Sequence, residues 1–168
     1  MYALRTSVGL LIVAEPNRTI RPIVTNRKAL HDYEVLQRIE AGIVLTGTEV
    51  KSLRAGKVAM TDAYAIFPSK RVDDLMLIGL HINPYDFGNR ENHISTRERR
   101  LLLHAQELHK LRIGVEEKGL TLIPLALYFS GPHVKVELGL VRGKKTYDKR
   151  ASLKERETDR EMKRAREE

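Results

Sequence analysis

Three groups of cations are spaced so that they could grip a polyanion: Lys51, Arg54 and Lys57; Arg97, Arg99 and Arg100; and Lys144, Lys145, Lys149 and Arg150 around Asp148. Any one group reads equally well as a solvated basic face. Three groups on a chain of 168 residues with net charge +8 point instead to a nucleic-acid partner. The excess is also localised. Residues 151–168 hold six basic and six acidic side chains, whereas residues 26–150 keep +6, half of it in the group around Asp148. That group opens a run of almost wholly polar residues, which cannot offset its ordering entropy by burial and must be used outside a packed core.

Other chemistries find little support. Gly139-Leu140-Val141-Arg142-Gly143-Lys144-Lys145-Thr146 resembles a phosphate-binding loop, but only three residues separate its glycines and its Thr falls one position late. Backbone amides could not wrap phosphates while that hydroxyl reached magnesium. The six histidines lack metal-ligand spacing: His104 and His109 are five apart, which puts them on different helix faces. With no cysteine, disulfides and thiolate metal sites are excluded, and a reducing, cytoplasmic setting is the default. No nucleophile and base pair is recognisable, so an unrecognised hydrolase is the weaker reading, and no cofactor is implied. Aromatic residues make up 5% of the chain, with no Trp, and several fall at positions that read as buried strand. A single-strand binder that stacks bases along aromatic platforms is therefore disfavoured against a reader of structured RNA.

The elements that must position these groups are mostly short strands. Tyr33 to Ile39 is strand-compatible, and Glu40-Ala41-Gly42 reads as a turn into Ile43-Val44-Leu45. Thr46 and Glu49 stand at capping-box spacing for a short helix Thr48 to Arg54 that ends by Gly56. Asp62 to Pro68 and Leu75 to Ile82 read as a hairpin, followed by a loop from Pro84 to Asn92. Ser95-Thr96-Arg97-Glu98 reads as a second capping box opening a long helix, with Leu101, Leu108, Leu111 and Val115 on one stripe and the arginine group in its first turn; Gly114 marks a kink and Gly119 the end. Thr121 to Phe129 and His133 to Val141 form a hairpin around Ser130-Gly131-Pro132, with Lys135 on the face opposite Val134, Val136, Leu138 and Leu140. The pattern predicts a mainly β protein: an OB-fold-like six-stranded antiparallel barrel with two to three accessory helices.

The ends read as appendages. Residues 1–25 are expected to be a disordered leader or a start-site artefact, with Val8, Val13 and Val24 as candidate downstream initiation points. Arg5 and the apolar run Val8 to Ala14 faintly imitate a signal peptide, yet the run is minimal and far too short to span a membrane. Residues 26–142 are expected to be the folded domain, and residues 143–168 a basic hinge and a disordered, helix-prone tail.

Asn26-Arg27-Lys28-Ala29, the run Glu40 to Lys57 (EAGIVLTGTEVKSLRAGK), Arg100-Leu101-Leu102-Leu103-His104, and Gly143-Lys144-Lys145 with Asp148-Lys149-Arg150 together resemble the SsrA-binding protein family, also called small protein B. The resemblance runs from Asn26 to the C-terminus. It implies an OB-fold that binds the tRNA-like domain of tmRNA in bacterial trans-translation and is not an enzyme. By resemblance, Asn26, His31, Glu40, Leu102, His104 and Lys135 contact the RNA or position residues that do, and Lys51 joins them from the short-helix group. Glu40 would orient loops or accept from bases, since a carboxylate repels phosphate. The tail residues Lys144, Lys145, Tyr147, Asp148, Lys149 and Arg150 would engage ribosomal RNA in an empty decoding site. Elongation factor Tu would act indirectly, through alanyl-tmRNA, and the protein would be a monomer with no membrane partner. The alternative is a general OB-fold RNA-binding or ribosome-associated module. Two departures from the family pattern stand out: residues 1–25 are longer and more apolar than the usual opening segment, and Tyr147 stands where His is common.

Overall fold

A computed structural model describes residues 19–69, 74–88 and 92–144. Within them the order is β1 (Ile20–Thr25), α1 (Arg27–Asp32), β2 (Tyr33–Ile43), α2 (Gly47–Arg54), β3 (Val58–Ala59), β4 (Tyr64–Ile66), β5 (Leu75–Ile78), β6 (His81–Ile82), β7 (Arg99–Leu102), α3 (Ala105–Lys118), β8 (Thr121–Ser130) and β9 (His133–Gly143).

Six antiparallel strands close on themselves. β8 pairs with β4, β4 with β5, β5 with β7, β7 with β2, β2 with β9, and β9 returns to β8. The six-stranded OB-like ring expected from the pattern is thus present. β1 adds to the outer edge of β8, and β3 pairs with β6 apart from the ring. A closed ring removes the free edges that would otherwise template aggregation.

The core follows from alternation. Along β9, Val134, Val136, Leu138 and Leu140 point inward and meet Leu75, Leu77, Leu101, Leu122 and Leu127 from the other strands. Leu108 and Leu111 of α3 join the same core. β8 departs from alternation, because Leu122, Ile123 and Leu125 are all buried. The reason is a second, smaller core on its other face, where Ala29 of α1 packs on Ile123, Leu125 and Val141, with Leu30, Tyr33 and Val35 against them. Pro124 sits at the register shift of the β8–β9 ladder, where a missing N–H is tolerated.

Several expectations are corrected. Residues 20–25, assigned to a disordered leader, form β1, in register with Ala126 to Ser130. The helix α1 carries no long apolar stripe, only six residues with Ala29 buried, so periodicity could not find it. Glu40-Ala41-Gly42 is not a turn; β2 runs unbroken through it for 11 residues. Leu75 to Ile82 is two strands, not one. The helix expected from Ser95 begins instead at Ala105, with His104 as N-cap and Glu107 at its third position. Arg99 to Leu102 is a strand with the burial order buried, exposed, buried, exposed. A buried arginine standing in the place of an apolar residue hid that period of two. Gly114 lies inside the continuous helix α3, and Gly119 caps its end. No described helix is long and apolar enough to cross a membrane.

Candidate nucleic-acid interface

Strand register sets out one row of residues across the outside of the ring. Leu102 on β7 faces Gly42 on β2, Gly42 faces Lys135 on β9, and Lys135 faces Tyr128 on β8. Glu40 lies two residues from Gly42 and therefore on the same face. A Cβ at Gly42 would stand 3.2 Å from Leu102 Cβ, so the strands approach closely there.

This row gathers Glu40, Lys135 and Leu102 into one site. The Lys135 ammonium lies 3.2 Å from Glu40 Oε1. The Tyr128 hydroxyl donates to Glu40 Oε2 in a short hydrogen bond. Burial first, then the hydrogen bond to Glu40 and the negative charges of Glu40 and Glu137, push the Tyr128 phenol above its ordinary range, so it remains a donor at every physiological pH. Glu40 also faces Glu137 directly, an unfavourable like-charge pair. Each carboxylate has a cation instead: Lys135 for Glu40, and Arg38 at 3.1 Å for Glu137. With side chains 39% and 26% exposed, Glu40 and Lys135 are accessible to a ligand yet already oriented. Leu102, 51% exposed, supplies an apolar surface beside them. The result is a mixed face with an oriented acceptor, a cation and a flat apolar contact, suited to base edges and riboses as well as phosphates.

The other sequence-derived residues fall elsewhere. Asn26 is buried, and its side chain ties three segments together: Oδ1 accepts from the Ala29 amide at 3.0 Å, and Nδ2 donates to the carbonyls of Met60 and Pro124 at 3.0 and 3.2 Å. Its position is that of a brace. His31 Nδ1 pairs with Asp32 Oδ1 at 2.9 Å, while its Nε2 is buried with no partner among the described residues. Lys144 closes on the same helix end: its amide donates to the Asp32 carbonyl and its ammonium to the Leu30 carbonyl, at 3.1 and 3.3 Å. A cation at a helix C-terminus is favoured by the helix dipole. Lys51 is exposed on α2, and exposed His104 opens α3, where its amide donates to Glu107 Oε2 at 3.0 Å. Lys145, Tyr147, Asp148, Lys149 and Arg150 lie outside the described residues.

The arginine group at 97–100 does not form a phosphate grip. Arg99 is wholly buried, and both it and Arg97 bond to the buried carboxylate of Glu49, with Arg97 Nη2 at 2.6 Å and Arg99 Nη2 at 2.8 Å. Arg100 is paired with Asp74 at 2.6 Å. Glu49 Oε2 also accepts from the Thr46 amide at 2.7 Å, which closes the capping interaction of α2. Burial alone would push the Glu49 carboxyl up; hydrogen bonds from Arg97 and Thr46 and the charges of Arg99 and Arg97 outweigh it and hold the group below the usual carboxylate range. Burial pushes the Arg99 guanidinium below its ordinary value, opposed by Glu49.

Sequence reasoning missed Tyr128. The signal existed: counting back from the turn where Ser130 faces His133 puts Tyr128 opposite Lys135.

A closed OB-like ring with a mixed charged face, and with no candidate metal cluster among the described residues, defines a nucleic-acid-binding module of the small-barrel class. The family model described as SmpB protein matches residues 23–168, and the chain belongs to that family. It is similar to the SsrA-binding protein of Geobacter metallireducens, with 52% identity over 140 residues, 83% of this chain and 90% of that one. To the SsrA-binding protein of Syntrophotalea carbinolica it is 53% identical over 146 residues, 87% and 95% of the two chains. A solved structure concerned with tmRNA-SmpB and the center of the bacterial ribosome superposes with a TM-score of 0.61 at 52% identity, covering 73% of this chain and 85% of that chain.

Proposed function

We propose that this protein binds the tRNA-like domain of tmRNA and delivers it to stalled ribosomes for trans-translation, as a cytoplasmic RNA-binding monomer without catalytic activity of its own. The observation that carries the reading is the row Leu102, Gly42, Lys135 and Tyr128 with Glu40 beside it, in a chain of the SmpB family. Glu40 accepts from base or ribose donors, Lys135 meets phosphate, and Leu102 packs against the RNA surface. Asn26 and His31 act from behind, by holding α1 and the start of β2. Lys51 and His104 extend the contact over the ends of α2 and α3.

The folded domain together with tmRNA then stands in for a tRNA where no codon remains to be read, with alanyl-tmRNA carried by elongation factor Tu. Residues 143–168 serve the ribosome. Lys144, Lys145, Lys149 and Arg150 bind ribosomal RNA phosphates in the vacant decoding site, Tyr147 stacks on a base, and Asp148 orients the neighbouring cations. The family match that continues to residue 168 supports a use for this segment.

The test separates the two modules. Replacing Asp148, Lys149 and Arg150 together with Ala is expected to leave tmRNA affinity within about twofold and abolish peptide tagging, whereas Glu40→Ala is expected to weaken tmRNA binding about tenfold or more, the loss of one charged hydrogen bond. Affinity measured by RNA mobility shift and tagging in a reconstituted translation system decide it. Equal loss of affinity in both sets overturns the division.

A further inference from the structure

Phe87 is 83% exposed, the most exposed large apolar side chain among the described residues. It is also held in place. Its ring meets the Tyr85 ring edge-on, with centroids 5.6 Å apart and planes at 63°, which leaves a face of Phe87 open to solvent. The backbone beneath is clamped by one side chain: Asn92 Oδ1 accepts from the Tyr85 amide at 2.9 Å, and Asn92 Nδ2 donates to the Tyr85 carbonyl at 2.8 Å. The Gly88 amide returns to the same carbonyl at 2.9 Å. A Cβ at position 88 would lie 2.7 Å from the Asn92 amide group, so a side chain there would displace the clamp. Next to the clamp, His93 bridges Thr48 Oγ1 and the Ile82 carbonyl at 3.0 and 3.1 Å, which anchors the loop to α2.

Positive charge lies close by. The Lys51 ammonium lies 5.1 Å from the centre of the Tyr85 ring, and Arg54, three residues on, is exposed in the same last turn of α2. Lys57 pairs with Asp86 and neutralises the one carboxylate set between the two aromatics. An open aromatic face on a clamped turn, bordered by positive charge, matches what an unpaired nucleobase and its phosphate require.

We infer that the Tyr85–Phe87 turn is a stacking platform for one unpaired nucleobase of a structured RNA, with Lys51 and Arg54 receiving the flanking phosphate. This rests on the RNA-binding reading above and adds a site some way along the chain from the Glu40 face. Tyr85 and Phe87 fall in the loop expected from Pro84 to Asn92, outside the strand positions that read as buried.

The chain contains no Trp, so Phe87→Trp places a single indole on the platform. Its fluorescence is followed while the tRNA-like RNA of tmRNA, or vacant ribosomes, is added, with binding measured independently from labelled RNA or by co-sedimentation. Quenching at the stoichiometric point is expected with one of the two, and the arm that quenches identifies the RNA. Phe87→Ala is expected to weaken binding to that same RNA by roughly tenfold, and Phe87→Tyr to restore it. Binding of both with unchanged indole emission overturns the platform while leaving the proposed function standing. A blue shift without quenching, the mark of burial against protein, overturns it equally. Failure of the wild-type protein to bind either RNA overturns the proposed function, and the platform with it.

Discussion

Two carboxylates of this protein, Glu49 and Glu40, each sit beside cations, and they do opposite jobs. Glu49 is wholly buried and shares its oxygens among Arg97, Arg99 and the Thr46 amide. The guanidinium groups go on to bond the carbonyls of Val44, Leu80 and Ser95, so one knot fastens the end of β2, the start of α2 and the entry to β7. The carboxylate itself is closed to solvent. Glu40 is met by the Lys135 ammonium and the Tyr128 phenol, and its side chain is 39% exposed. A buried ion pair is costly to break because desolvation has already been incurred, whereas a surface pair is worth little to the fold and can be exchanged for a ligand. Similar residue types thus give a structural rivet in one place and, in the proposed reading, a recognition group in the other, and burial is what separates them.

The largest expected effect follows from cutting the rivet. Glu49→Gln strands two guanidinium groups, one of them wholly buried, and should lower the unfolding free energy by about 3–5 kcal/mol in urea titration. The wild-type acid limb reports the same group. Because the folded-state pKa of Glu49 lies below its unfolded value near 4.5, its contribution is present at neutral pH and is lost as pH falls through the folded-state value. Glu49→Gln should therefore flatten the stability profile below pH 4.5 and leave its shape above pH 6 unchanged. A variant that kept wild-type stability but lost RNA affinity would break the contrast.

Asn26→Ala is next, at about 2–3 kcal/mol, since it removes a helix cap and leaves the Met60 and Pro124 carbonyls without their donor. Tyr128→Phe removes one hydroxyl and should cost the fold about 1 kcal/mol, while tmRNA affinity falls severalfold because Glu40 loses its fixed orientation. Lys135→Ala should alter stability least, by about 0–1 kcal/mol. Its mark is electrostatic: the slope of log affinity against log salt should drop by about one unit or slightly less. If Lys135→Ala left that slope untouched, the ammonium would be serving Glu40 alone, and the Glu40 face would be closer in kind to the Glu49 knot.

Much of the ring was legible from local signals. The β8–β9 hairpin announced itself through Ser130-Gly131-Pro132 and the alternation from Val134 to Leu140, and α2 through the spacing of Thr46 and Glu49. Arg99 was not legible, because an arginine inside a strand reads as surface until its carboxylate is known, and Glu49 lies 50 residues earlier. β1 was missed for a related reason: Ile20 to Thr25 carries a proline and two exposed polar residues, and its pairing partner is β8, remote in sequence.

The sequence by itself determined the class of protein, the alternation along β9 and the position of Lys135 on an outward face. These depend on period and on neighbours within a few residues. Which charges would be buried, which would meet one another and which would stay accessible was decided only when the ring closed. Closure brings Glu49 to Arg99 and Tyr128 to Glu40 across separations of 50 and 88 residues, and desolvation then turns one pair into structure and leaves the other accessible to a ligand.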